Sequence, residues 1–322
     1  MDDLLITGTS TKSIDSFKQE MAAVFKMSDL GPLTYYLGIQ VQQSSKGITL
    51  SQESYAKKIL EKGGLLGCNS CQVPMQPKLK LKKESEQQRV DATEYRSLVG
   101  SLRYLVNTRP DLAYSVGYVS RFMEDPYEDH LAAVKQILRF VAGSSDVGVF
   151  YPRRRGDRAE LRGYSDSDLA GDLDSRKSTT GVLFFFGRSP VSWQSTKQRV
   201  VALSSCEAEY IAAATAACQG IWLARLLSEL KDAEIQVPVL RVDNKSTISL
   251  VKNPVHHDRS KHIDVRYHLI REYEQTGQIA VKFIRTEEQL GDILTKPLGK
   301  VKFRELCNKI GLRICSVGCI KN

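Results

Sequence analysis

Gly163-Tyr164-Ser165-Asp166-Ser167-Asp168-Leu169-Ala170-Gly171-Asp172 is the stretch on which the reading of this chain turns. Leu161 to Ser165 reads as a strand, which puts Asp166 at its C-terminal end. Asp166, Asp168, Asp172 and Asp174 also suit a turn, and any one of them serves as readily as a cap or a solvated surface group. Downstream, Gly181–Phe186, Val191–Trp193, Val239–Val242 and Ile279–Arg285 read as further strands. Ser204–Leu230 reads as a long helix rich in Ala and Leu, with shorter helices over Ser246–Val251, Asp264–Thr276 and Glu287–Leu294. This order predicts an α/β unit with a mixed five-stranded sheet flanked by helices.

The acids fall at the ends of these elements. Asp166 and Asp243 each follow a strand, Glu207 and Glu209 lie near the start of the long helix, and Asp292 lies in the last one. Residues two apart on a helix are about 200° apart around its axis, so Glu207 and Glu209 do not both face one site. Two divalent ions ~3.5–4 Å apart can clamp the attacking and leaving oxygens of a phosphodiester, and clustered carboxylates are what hold them. Mg²⁺ in particular takes a few carboxylates and completes its shell with water and phosphate oxygens. Four acids from four elements therefore form a candidate metal cage.

The first half reads differently. Leu4–Thr7 is strand-like and closed by Gly8; Ser13 caps a predicted helix to about Met27, with Ile14, Phe17, Met21, Val24 and Phe25 at helical spacing. Tyr36–Gln52 reads as a hairpin around Ser44-Ser45-Lys46-Gly47, followed by a helix over Glu53–Lys62. Residues 67–90 are polar, charged and broken by proline, hence a loop or linker. Three helices (Glu94–Asn107, Pro110–Phe122, Tyr127–Val141) and a strand (Val147–Tyr151) follow. Arg153–Arg158 is a basic, turn-rich hinge, and the division placed there gives an α+β unit over 1–152, an α/β unit over 159–312 and a tail over 313–322.

The 322 residues suffice for two cores, and a net charge of +9 favours polyanionic partners such as nucleic acid. Seven cysteines, an odd number in no dense framework, suit a reducing intracellular compartment, cytoplasmic or nuclear. Cys68 and Cys71 have metal-ligand spacing but lack a matching second pair. His256, His257, His262 and His268 cluster without a nearby cysteine, which favours positioning or substrate contact over a zinc site. Met1 is followed at once by Asp2 and Asp3, unlike a signal peptide, and the apolar runs are short and charge-interrupted, so no membrane partner is expected.

Gly163–Asp172, with Arg176-Lys177-Ser178-Thr179-Thr180-Gly181, closely resembles the ribonuclease H domain of copia-type retrotransposon Pol polyproteins. Ser204-Ser205-Cys206-Glu207-Ala208-Glu209-Tyr210, Val242-Asp243-Asn244, Lys261-His262-Ile263-Asp264 and Gly291-Asp292-Ile293-Leu294-Thr295-Lys296-Pro297 follow in the family's order. The first half resembles the C-terminal part of the same polyproteins' reverse transcriptase, through the end of the palm, the thumb and the connection. Met1-Asp2-Asp3-Leu4-Leu5-Ile6-Thr7-Gly8 looks like the end of its catalytic loop, and Tyr36-Leu37-Gly38-Ile39 and Arg96–Leu105 also match.

The resemblance implies that Asp166, Glu209, Asp243 and Asp292 hold two Mg²⁺ or Mn²⁺ ions and that the RNA strand of an RNA·DNA hybrid is hydrolysed. It selects Glu209 over Glu207. It also allows backbone contacts for Ser178, Thr180 and Asn244, which ordinary turn and strand roles explain equally well; Lys57, Lys58 and Lys62, on the helix after the hairpin, suit phosphate contacts or a solvated helix face equally. Leu169 stands where Trp is frequent, Cys206 where Thr is common, and Gly291 where Ala is frequent, the last expected to loosen the Asp292 helix by up to ~1 kcal/mol. Asp2 and Asp3 would be a polymerase remnant. The other polymerase acid would lie upstream, so the expectation is an incomplete polymerase that needs that segment as a partner, with a raw sheet edge beside Leu4–Thr7. The competing reading is a non-catalytic nucleic-acid-binding remnant of a decayed element.

Overall fold

The computed structural model describes residues 4–153, 159–252 and 268–315. Helix α1 (Thr11–Val24) starts where the Ser10 hydroxyl accepts the Ser13 amide, three residues earlier than a cap at Ser13 would set it. Leu4–Thr7, expected as a strand, has no regular structure, because no described strand lies beside it to pair with. Strands β1 (Tyr35–Tyr36), β2 (Ile39–Ser44) and β3 (Gly47–Ser51) form an antiparallel meander. The Ser44 hydroxyl accepts the Lys46 and Gly47 amides in the tight turn. Gly47 is required there, since a Cβ would sit 2.2 Å from the Tyr151 carbonyl oxygen.

Helices α2 (Glu53–Lys62), α3 (Ala92–Leu105), α4 (Ala113–Val119) and α5 (Glu128–Ala142) bury their apolar stripes against one another. Pro110–Phe122, expected as one helix, is α4 flanked by two 3₁₀ turns. Strand β4 (Val147–Pro152) then returns beside β3.

The second half builds β5 (Leu161–Ser167), β6 (Thr179–Phe186), β7 (Ser189–Lys197), α6 (Ser205–Lys231), β8 (Val239–Val242), α7 (Lys245–Lys252), α8 (Leu269–Gln275) and β9 (Ala280–Phe283). The sheet order is β7-β6-β5-β8-β9; β7, β6 and β5 are antiparallel, whereas β8 and β9 run parallel to β5. This is a ribonuclease H-like mixed sheet of five strands flanked by helices, as the resemblance implies. Strand β6 shows why both its faces are covered. Val182 and Phe184 join one core beneath α6, and Leu183 and Phe185, on the opposite face, join a second core built by the first half. Helix α6 is long and apolar enough, by length and composition, to cross a membrane, contrary to the expectation of short apolar runs. Its alanines are buried on the sheet with Tyr210 and Leu223, which accounts for that composition.

The C-terminal stretch differs most from expectation. Glu287–Leu294 is two 3₁₀ turns, Thr286–Glu288 and Leu290–Leu294, in place of a helix. Helix α9 (Lys300–Lys309) and strand β10 (Leu312–Ile314) come next, and β10 pairs with β4 to complete a first sheet ordered β1-β2-β3-β4-β10. Residues 313 and 314, assigned to a tail, are therefore strand residues of the first sheet. Phe303, Leu306, Ile310 and Leu312 pack in one core with the helices of the first half and with Tyr164, Leu183 and Phe185. The Trp193 indole donates to the Val106 carbonyl across the same junction.

Arg109 is a buried cation of the first half. It is fully buried, pairs with Asp111 at 2.8 Å, and donates to the Ser144 carbonyl and hydroxyl. Removing one partner of a buried ion pair leaves an uncompensated charge, so Arg109→Leu should cost about 3–5 kcal/mol in urea unfolding. A change within ~0.5 kcal/mol would remove that role. Gly181→Ala should cost about 1–3 kcal/mol by overpacking, because the added Cβ would meet Thr295 Cγ2 at 2.7 Å and Leu294 Cβ at 2.9 Å. Unchanged thermal unfolding of that variant would show that the 290–294 turn yields freely.

Candidate metal centre

The parallel pairing of β5 and β8 sets the site. Tyr164 is level with Arg241, so Asp166 and Asp243, each two residues further on, emerge at the same height from neighbouring strands. Helix α6 crosses behind them. Its Ser204 hydroxyl accepts the Glu207 amide, and Glu207 Oε2 accepts the Leu203 amide at 2.6 Å, so Glu207 caps the helix. Glu209, on another face of the helix, reaches β5 and accepts the Ser167 amide at 3.1 Å through Oε1. The structure thus separates the two glutamates as helix geometry predicts.

One carboxylate oxygen from each of Asp166, Glu209 and Asp243 lies within 4.8 Å of the others. Asp166 and Glu209 are buried, Asp243 half-buried. Burial, then the Asp166 and Asp243 charges, pushes Glu209 up to about 9. Burial and Asp166 likewise raise Asp243, although the Thr286 hydroxyl opposes this. Glu209 Oε2 is buried with no hydrogen-bond partner. A buried carboxylate oxygen without a donor, facing two more carboxylates, is chemistry a divalent cation satisfies.

Asp292 approaches from the 290–294 turn. Gln289 clamps that turn to the strand, its amide nitrogen donating to the Ser165 carbonyl at 2.9 Å and its oxygen accepting the Gly291 amide at 3.0 Å. A Cβ on Gly291 would lie 2.8 Å from Asp166 Cβ, so the glycine lets the turn rest directly on the strand end and loosens no helix. The Asp292 carboxylate does not join the three-acid group. It is held by Lys296 Nζ at 2.6 Å, and the same ammonium lies 3.3 Å from Asp166 Oδ2. Burial works against the Lys296 charge, but Asp166 and Asp292 outweigh it and raise its pKa. Thr295 Oγ1 also donates to Asp166 Oδ2. Of the four expected acids, three gather and the fourth is joined to them through a lysine.

Other expected residues fall elsewhere. Ser178 is buried and accepts the Ala170 amide; Thr180 is buried and accepts from Gln198. Both side chains are buried, contrary to that expectation: Ser178 holds the β5–β6 connection and Thr180 is held by Gln198 beyond β7. Asn244 accepts the Thr247 amide at the start of α7. Asp172 accepts from Ser175, Arg121 and Lys197; burial opposes its charge, yet Ser175 and Lys197 bring it down to about 2. Lys57 pairs with Glu53 on its own helix. Cys71 donates to the Val73 carbonyl. His268 bonds the Tyr210 hydroxyl at 3.0 Å, while Asp2, Asp3, His256, His257 and His262 lie outside the described residues.

Sequence reasoning missed Gln198, whose amide nitrogen reaches Ser167 Oγ, Thr180 Oγ1 and the Ala208 carbonyl, bolting β5, β6 and α6 together. Nothing in the local pattern marks it. Lys296 and Thr295 stand inside the motif quoted around Asp292, where only the acid was read.

Residues 1–77 match the family described as reverse transcriptase (RNA-dependent DNA polymerase). The chain is 40% identical, over 97% of its length, to the retrovirus-related Pol polyprotein from transposon RE1 of Arabidopsis thaliana, and spans about a fifth (21%) of that relative. It is 36% identical over 69% of its length to the uncharacterized mitochondrial protein AtMg00810 of Arabidopsis thaliana, covering 91% of it. Among solved structures, LC11-RNase H1 isolated from compost is similar at 16% identity and a TM-score of 0.31, over 42% of this chain and 93% of that one. At 40% identity along nearly its whole length, the chain belongs to the family of copia-type retrotransposon Pol polyproteins.

Proposed function

We propose that this chain hydrolyses the RNA strand of RNA·DNA hybrids through a metal-dependent ribonuclease H unit over 159–312, preceded by the end of a reverse transcriptase over 1–152. The observation that carries the reading is the group Asp166, Glu209 and Asp243 at the end of β5 and β8, with an unpartnered buried oxygen on Glu209. The donor set fits Mg²⁺ or Mn²⁺: hard carboxylate oxygens, few in number, with Asp292 adjacent as the fourth. Bound there, divalent cations would polarise the scissile phosphate and lower the pKa of water to supply the nucleophile. Asp166, Glu209 and Asp243 would hold the ions, with Asp292 beside them as the fourth carboxylate. The sheet fixes their spacing before substrate arrives, as preorganised electrostatic catalysis requires. A hybrid would be selected by backbone shape and 2′-hydroxyls, without base reading.

Incubation with a labelled hybrid should yield RNA cleavage that needs Mg²⁺ or Mn²⁺. Asp166→Asn and Asp243→Asn should each lower the rate by at least ~10²-fold, with hybrid binding and circular dichroism retained. Metal-dependent cleavage surviving in both variants would remove the site assignment, and intact binding without cleavage in the wild type would favour the non-catalytic remnant.

The crowded acids also predict a pH signature of the metal-free protein. Glu209 ionises near 4.5 in the unfolded chain but near 9 in the fold. Across that window unfolding releases a proton, so the stabilisation present below 4.5 is lost as pH rises toward 9. Thermal unfolding should therefore weaken with pH across that range, less steeply in Glu209→Gln and less steeply when divalent ion saturates the site. Identical slopes in wild type and Glu209→Gln would refute the crowding.

A further inference from the structure

Lys296 lies among the acids of the site without a part in holding the ions. Its ammonium lies 2.6 Å from Asp292 and 3.3 Å from Asp166 Oδ2. Those carboxylates are two of the four that would hold cations. A divalent ion coordinates carboxylate oxygen at ~2.0–2.2 Å. An ion bound between the two carboxylates through these oxygens would compete with the ammonium for the same space.

Charge leads to the same conclusion. Asp166, Glu209, Asp243 and Asp292 carry four negative charges when ionised, and two divalent ions balance them completely. With both ions present the lysine charge is surplus; with one or none it is needed. The side chain is also free to leave. It is 39% exposed, and the backbone that carries it is fixed independently, the Lys296 amide bonding the Asp292 carbonyl at 3.1 Å. Departure needs only side-chain torsions to move between staggered wells.

We propose that Lys296 is a built-in, displaceable cation, which braces Asp166 and Asp292 when divalent metal is scarce and must swing out before the Asp292 side of the site takes an ion. The group Asp166–Glu209–Asp243 then fills first, and the second ion binds against the lysine. Lys296 therefore sets the metal concentration at which the site becomes fully loaded. This role rests on the metal-site reading above and needs no substrate, so it is tested on the full chain by metal binding alone.

Mn²⁺ titration by calorimetry should give a tight and a weaker ion in wild type. Lys296→Met should tighten the weaker ion by ~10-fold, within the usual range of coupling between sites, whereas Lys296→Arg, which keeps the charge, should not. The metal-free Lys296→Met protein should unfold at lower temperature and recover more on Mn²⁺ saturation than wild type does. A second measurement avoids mutation altogether. Acetylation of Lys296, followed by peptide mass spectrometry, should rise when Mn²⁺ saturates the wild-type chain. Weaker or unchanged Mn²⁺ binding in Lys296→Met, or acetylation indifferent to Mn²⁺, would overturn the displaceable-cation role while leaving the metal site standing. No Mn²⁺ uptake by the wild type would remove both.

Discussion

Like charges held together out of water are the constraint on which the rest of this structure depends. Asp166, Glu209 and Asp243 sit within 4.8 Å of one another, two of them buried, and each repels the others. Isolated, such a cluster drives its own protonation or its own disassembly. It persists because its supports are stiff. Asp166 and Asp243 end adjacent strands of a sheet covered on both faces, and Glu209 is fixed by the Ser167 amide. Gln289 and Gln198 tie the surrounding elements to that strand end from two sides. The site is thus a local loss of stability carried by the packing around it, which is how functional sites commonly stand in otherwise consistent folds.

That packing is not confined to the second half. Leu183 and Phe185, on the β6 face away from α6, lie in a core shared with α2–α5, and the chain returns through α9 to add β10 beside β4. Arg121 of the first half holds Asp172 and Thr179 at the mouth of the loop that leaves Asp166. The division near residue 153 therefore separates neither the sheets, since β10 joins the first, nor the cores, since one of them is built from both halves. A unit cut at 159–312 would expose the Leu183–Phe185 face to water. Burial of apolar area, at ~25 cal/mol per Å², links the geometry of the acids to helices remote from them in sequence.

Much of this was legible in the residues. The hairpin announced itself through the turn Ser44–Gly47, and α2 through its apolar spacing. The mixed five-stranded sheet followed from the alternation of strands and helices along the chain, and Glu209 was distinguished from Glu207 by the 3.6-residue repeat with the family pattern. What was not legible is tertiary. Leu4–Thr7 has strand-forming residues, but a strand needs a neighbour, and propensity does not supply one. Glu287–Leu294 has helical composition yet forms 3₁₀ turns, because Gln289 pins it against Ser165 before a second α-turn can form. Ser178 and Thr180 suited backbone contact or ordinary polar roles, and the structure commits Thr180 to Gln198, far enough along the chain that no local pattern joins them. Gly291 looked like a weak point in a helix and proved to be the clearance that brings Asp292 to Asp166.

The distribution of charge closes the argument. The chain carries a net charge of +9, yet its candidate centre is a pocket of carboxylates. A polyanion attracted by the whole surface meets repulsion at the point where chemistry would occur, since long-range attraction is screened over ~8–10 Å and the last approach is governed by local charge. Local positive charge must therefore be supplied at the pocket itself. Arg121 and Lys197 do not supply it, because both are committed to Asp172. Lys296 offsets only part of the deficit, and only between Asp166 and Asp292. Glu209 Oε2 is left without a donor. Among the described residues, then, a phosphate brought to this pocket would meet a deficit of positive charge, which on the proposed reading divalent cations would make good.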